Sequence, residues 1–90
     1  MCEADRIDII EHLKHYNRRL AARYCLCKAY EHLFMLSKSI RNTVNYKKEL
    51  NSAKWYYDFV RNGLISDISD RKSIKLYCDI KKELSNYHLE

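Results

Sequence analysis

Apolar residues recur every three or four positions along most of this chain, the period of a helix with one face turned inward. Ile9, Leu13, Tyr16, Leu20, Cys27, Tyr30 and Phe34 keep that spacing, and Tyr24 fills the gap between Leu20 and Cys27. Asp5-Arg6-Ile7-Asp8 reads as the start: a capping carboxylate, then an acid where the helix dipole favours negative charge. No proline or glycine interrupts residues 6 to 41. The spacing therefore predicts one helix of about 36 residues, about 54 Å long at 1.5 Å per residue. Ser37-Lys38-Ser39 is the place where it would divide, because serine side chains compete for the helix backbone.

Asn42-Thr43 is the next punctuation, with Thr43 as a cap. Tyr46, Leu50, Ala53, Tyr57, Val60 and Leu64 then follow a seven-residue repeat that predicts a second helix. Asn62-Gly63 should end it, since glycine readily takes the left-handed cap conformation, with Leu64-Ile65 folding back as the hydrophobic contact. A third helix is expected from Ser66 or Ser69, with Asp67 and Asp70 at its positive end. Ile74, Tyr77, Ile80, Leu84 and Tyr87 form its inward stripe, and Lys81 and Lys82 lie near its C-terminus, where cations are favoured.

Composition agrees with rods. One glycine and no proline leave almost nothing to make the turns of a sheet. A hydrophobic share of 47 % against 32 % charged residues is globular, not disordered. Ninety residues make a single small domain, residues 1–90, of the size that buries roughly 60 to 65 % of its unfolded surface. The expected fold is an all-α, small antiparallel bundle of three helices, or four if the first divides, with a long first helix. Leu89-Glu90 has the form of a cloning remnant and is assigned no function. Leu33-Phe34-Met35-Leu36 is broader than one helix face, so a homodimer is the expected cover for the surplus.

Apolar runs such as Leu33 to Ser37 fall far short of the roughly 18 residues that span a membrane. Met1-Cys2-Glu3-Ala4-Asp5 lacks the basic start and apolar stretch of a signal peptide. A cytoplasmic location follows, or the host cytosol or nucleus if the chain is viral. Cys2, Cys25, Cys27 and Cys78 are then expected as free thiols. Cys25-x-Cys27 is not a metal pair, because residues two apart on a helix point about 200° apart. His32 lies two turns, about 10 Å, from Cys25. His12 and His15 are one turn apart but have no second ligand pair. Neither a metal nor a cofactor is expected, and Cys27 and Cys25 read as small buried hydrophobes. No nucleophile elbow or phosphate-cradling glycine loop is present, so an enzyme is not expected.

Charge is what singles this chain out. The net charge is +5. Between residues 12 and 57, ten lysines and arginines face only Glu31 and Glu49, a local excess of 10 − 2 = +8. Lys14 and Arg18 are four apart, as are His15, Arg19 and Arg23, so on a continuous helix two basic rows would run along one outer side. Arginine forks suit phosphates. The expected function is a small non-enzymatic binding protein contacting nucleic-acid phosphates through Lys14, Arg18, Arg19 and Arg23, with Lys47, Lys48 and Lys54 extending the patch. The alternative is a protein–protein interaction module or small regulator binding an acidic or apolar partner, anchored by Leu33, Leu36, Trp55 and Tyr56. Arg23, Lys54, Trp55 and Tyr56 would form an exposed aromatic-basic patch in either case. A membrane-bound helix is disfavoured because the apolar side of the first helix is needed for the core.

Overall fold

Asn17 divides the long first helix that the spacing predicts. In the computed structural model, which describes residues 2–41 and 43–87, its backbone is extended (φ −165°, ψ 113°). Its N–H closes the preceding helix on the Leu13 carbonyl at 2.7 Å. Its side-chain oxygen accepts from the N–H groups of Arg19 at 2.9 Å and Leu20 at 3.2 Å, opening the next. One residue thus ends helix α1 (Glu3–Tyr16) and caps α2 (Arg18–Ser37). A continuous rod of about 54 Å would also exceed the molecule, whose longest dimension is 38 Å.

The remaining boundaries are set by short polar side chains. Thr43 Oγ1 accepts from the Tyr46 N–H at 3.2 Å and opens α3 (Val44–Gly63). Asp70 accepts from the Ser73 N–H at 3.1 Å and opens α4 (Arg71–Ser85). The third predicted helix therefore starts later than Ser66 or Ser69; a short 3-10 turn, Ile65–Asp67, occupies the interval. Gly63 stays helical, and the chain leaves α3 through Leu64 at φ −131°, with its N–H on the Val60 carbonyl at 2.8 Å. Leu64 is fully buried and Ile65 half exposed, so the fold-back contact belongs to Leu64 alone. Leu89-Glu90 lies outside the described residues.

The described residues form an all-helical bundle of four α-helices in which α2 packs against each of the other three. Its inward face is narrow: Ala21, Ala22, Cys25 and Ala29 are buried beside Leu26, Leu33 and Leu36. Small residues let neighbouring backbones approach, and larger ones from α3 and α4, including Tyr57, Val60, Ile80 and Leu84, fill the remaining space. Direction follows from contacts. His32 near the end of α2 meets Glu49 near the start of α3, while Arg18 meets the Gly63 carbonyl. Tyr57 stacks on Tyr77 at 5.2 Å and Tyr46 meets Tyr87 at 6.1 Å, so α4 runs antiparallel to α3. Helix α1 doubles back, burying Ile10 and setting Arg6 against Ser52, Trp55 and Tyr56.

The break at Asn17 also changes which side of the second segment faces inward. Tyr16, Leu20, Tyr30 and Phe34, expected in the core, are 81 %, 43 %, 52 % and 54 % exposed. Cys27 is exposed and Cys25 is the buried thiol. The α3 and α4 stripes hold better, with Ala53, Tyr57, Val60, Leu64, Ile80 and Leu84 fully buried; Ile74 is the exception, at 47 % exposed.

Because one amide carboxamide caps α2, Asn17→Ala should lower unfolding free energy by about 1 kcal/mol, with Asn17→Asp retaining most of it. Urea denaturation followed by circular dichroism measures both.

Candidate nucleic-acid interface

The two expected basic rows do not form. Lys14 sits on α1 and Arg18, Arg19 and Arg23 on α2, so the four-residue spacing that joins Lys14 to Arg18 and His15 to Arg19 crosses the Asn17 joint. Most of these cations are also compensated. Lys14 Nζ lies 3.3 Å from Glu11. Arg18 reaches Asp67 at 3.1 Å and donates to the Gly63 carbonyl at 3.0 Å. Arg23 lies 3.5 Å from Asp70 and donates to Ser73 Oγ at 3.2 Å. These two arginines tie the start of α2 to the segment that leads into α4. A hydrogen bond from Ser73 holds the Asp70 carboxyl below its ordinary range, with Arg23 adding to the effect. Lys54 lies 2.6 Å from Asp58 on its own helix. Arg19 is exposed with no carboxylate in ion-pair range among the described residues.

Lys47 and Lys48 are the remaining expected contacts. They lie in the opening turns of α3, exposed, with no acid in the first turn. The antiparallel packing of α4 carries Lys81 and Lys82 in its second half, beside the end of α2, which leads to Lys38 and Arg41. Ser37 and Lys82 line one shallow surface depression together with Tyr30, Phe34 and the carboxylates Asp79 and Glu83. Arg41 is near enough to oppose the upward shift that burial gives the Tyr87 hydroxyl. Lys38 Nζ rests 5.0 Å from the Phe34 ring centre. All six cations are exposed. Among the described residues none has a carboxylate within ion-pair distance, and Glu49 is held by His32 at 2.6 Å. Sequence spacing could not have shown which cations are left uncompensated, because the ion pairs of Arg18 and Arg23 span 49 and 47 residues.

The expected partner anchors are placed otherwise. Leu33, Leu36 and Tyr56 are buried, at 8 %, 1 % and 2 % exposure, and pack in the core. Trp55 is half-buried; its indole N–H donates to Glu3 at 3.1 Å, and the Arg6 guanidinium stacks 5.4 Å from its ring centre. The cation over this aromatic pair is thus Arg6, not Arg23, which sits against α4. Lys54 shares the helix but is turned to Asp58. Sequence reasoning passed over Arg6 because it appeared only as part of a helix start.

Among the described residues no group of three histidine, cysteine or acidic side chains lies close enough to hold a metal, and no helix is long and apolar enough to cross a membrane. The cysteines are free thiols, with Cys2, Cys27 and Cys78 exposed. Burial pushes the Cys25 thiol from 9.0 up to about 12, with the Lys14 charge opposing. Comparison with protein-family models, with curated proteins and with solved structures finds no match to this chain.

A buried thiol with a raised pKa stays protonated when folded and ionises first in the unfolded chain. Its contribution to stability is complete below pH 9 and is lost between 9 and about 12. The urea midpoint should therefore fall more steeply over that window in the native chain than in Cys25→Ala. In thiol labelling at neutral pH, Cys2, Cys27 and Cys78 should react at once and Cys25 only on unfolding.

Proposed function

We propose that the protein is a small non-enzymatic nucleic-acid-binding protein whose phosphate contacts come from Lys38, Arg41, Lys47, Lys48, Lys81 and Lys82. One observation supports this reading: these six cations are exposed and have no carboxylate within ion-pair distance among the described residues, whereas Lys14, Arg18, Arg23 and Lys54 are compensated. Lys47 and Lys48 are also electrostatically misplaced for stability alone, since they crowd the positive end of the α3 dipole. A bound phosphate backbone relieves that repulsion and releases counterions. The contacts are to the backbone, so binding is tight at low salt and tolerant of sequence. The reading assigns the protein to the cytoplasm, or to a host nucleus if it is viral.

A second reading rests on Ile40 and Val44, which are 78 % and 82 % exposed among the same cations. Apolar side chains beside unpaired lysines suit an acidic protein segment with hydrophobic contacts.

A salt series with labelled duplex and single-stranded oligonucleotides separates the two. Nucleic-acid binding gives a log K that falls linearly with log salt, by about 0.9 per phosphate neutralised on duplex. Lys47→Glu/Lys48→Glu should weaken binding at least about tenfold and reduce the slope by about one per contact removed. This pair keeps the fold, because acids are favoured at a helix N-terminus. Arg18→Ala, at the far end of α3 about 24 Å away along the helix, should leave affinity nearly unchanged. Absence of binding at low salt, or a flat slope, overturns the reading.

A further inference from the structure

Helices α2 and α4 lie side by side and share a shallow surface depression of about 390 Å³. Tyr30 and Phe34 line it from α2, and Asp79, Lys82 and Glu83 from α4. The two rings are 52 % and 54 % exposed. Four residues apart on one helix, they stand one turn from each other, about 6 Å along the axis. Lys38 Nζ lies 5.0 Å from the centre of the Phe34 ring. Lys38 and Lys82 thus both border Phe34, and both belong to the cations assigned above to phosphates.

The chemistry of the depression selects its occupant. Asp79 and Glu83 carry negative charge into it, so a phosphate or an acidic side chain is repelled from the space between the helices. Asp79 also keeps a cation of its own, Lys75, at 3.0 Å. What fits is an uncharged planar group that lies on the rings and offers N–H donors to the carboxylates. It must also bring anionic groups beside it, for Lys38 and Lys82. A nucleobase within a strand has all three properties: a π-face, N–H donors on its edge, and flanking phosphates. In a duplex the faces are stacked and the pairing edges occupied, so only an unpaired base can enter. The spacing of the rings agrees. About 6 Å exceeds the roughly 3.4 Å between stacked bases of one strand, so neighbouring bases reach both rings only in a strand drawn out of its stack.

We propose that the nucleic acid bound by this protein is single-stranded, with unpaired bases stacked on Tyr30 and Phe34 between α2 and α4 and the adjoining phosphates held by Lys38 and Lys82. The proposal rests on the phosphate-binding reading above and adds to it the class of strand. Stacking of this kind tolerates any sequence, because every base has a π-face.

The test is fluorescence anisotropy at low salt with three labelled oligonucleotides of one length: a single strand, an abasic single strand and a blunt duplex. The abasic strand keeps the phosphates and lacks the bases. The native chain should bind the intact single strand at least about tenfold more tightly than either of the others. Phe34→Ala and Tyr30→Ala, both at exposed positions, should each weaken single-strand binding about fivefold or more. Salt slope, abasic-strand affinity and helical content should stay unchanged, and Phe34→Tyr should retain binding. A duplex or an abasic strand bound as tightly as the intact single strand overturns the proposal and leaves the phosphate reading in place. So do alanine variants without effect. No binding of any of the three overturns both, as does an acidic aromatic peptide that binds where no oligonucleotide does.

Discussion

The fold depends on what happens at Asn17. A side-chain carboxamide that satisfies two orphan N–H groups, and a backbone that turns aside after Leu13, convert one long rod into two helices lying against each other. Once α1 folds back, the face of α2 rich in alanine and cysteine becomes the inner one. Those small side chains let α1, α3 and α4 close around it. The large residues that the continuous periodicity assigned to the core are left on the outside. Much of what distinguishes this molecule, including its uncovered aromatic line and its divided basic rows, is downstream of that single capped joint.

Electrostatics then sorts the cations into two kinds. Arg18 and Arg23 are structural, joining the start of α2 to Asp67 and Asp70, where the chain turns into α4. Arg6 is structural too, inserted among Ser52, Trp55 and Tyr56. Each such contact is partly exposed and screened by solvent, so each contributes modestly. Their larger effect is to hold α1, α2 and α4 in register. Lys38, Arg41, Lys47, Lys48, Lys81 and Lys82 have no carboxylate within ion-pair distance among the described residues. Two of them stand where a helix dipole repels them.

Much was legible in the residues alone. The near absence of glycine and proline fixed an all-helical chain, and the seven-residue repeat of α3 placed Ala53, Tyr57, Val60 and Leu64 in the core where they are found. Thr43 was readable as a cap, since a short polar side chain accepts from an N–H three residues on; Asp70 was legible only as charge at the helix start, and the cap is Asp70 and not Ser66 or Ser69. The inner face of α2 was not legible. Leu20, Tyr30 and Phe34 are larger and more apolar than Ala21, Ala22 and Ala29, and a pattern weighted by hydrophobicity chooses them. Packing chose the smaller set, because close approach of three neighbours requires little side-chain volume at the centre.

The same division holds for the candidate interface. The sum of charges, its concentration between residues 12 and 57 and the candidacy of Lys47 and Lys48 are properties of the chain and needed no coordinates. Which cations are neutralised, and which stand together, could be decided only by long-range contacts. Arg18 finds Asp67 across 49 residues of sequence, and Arg23 reaches Asp70 from one helix to the start of another. Helical periodicity is local and is written in neighbouring residues. Pairing of charges across helices depends on a topology that one asparagine redirects.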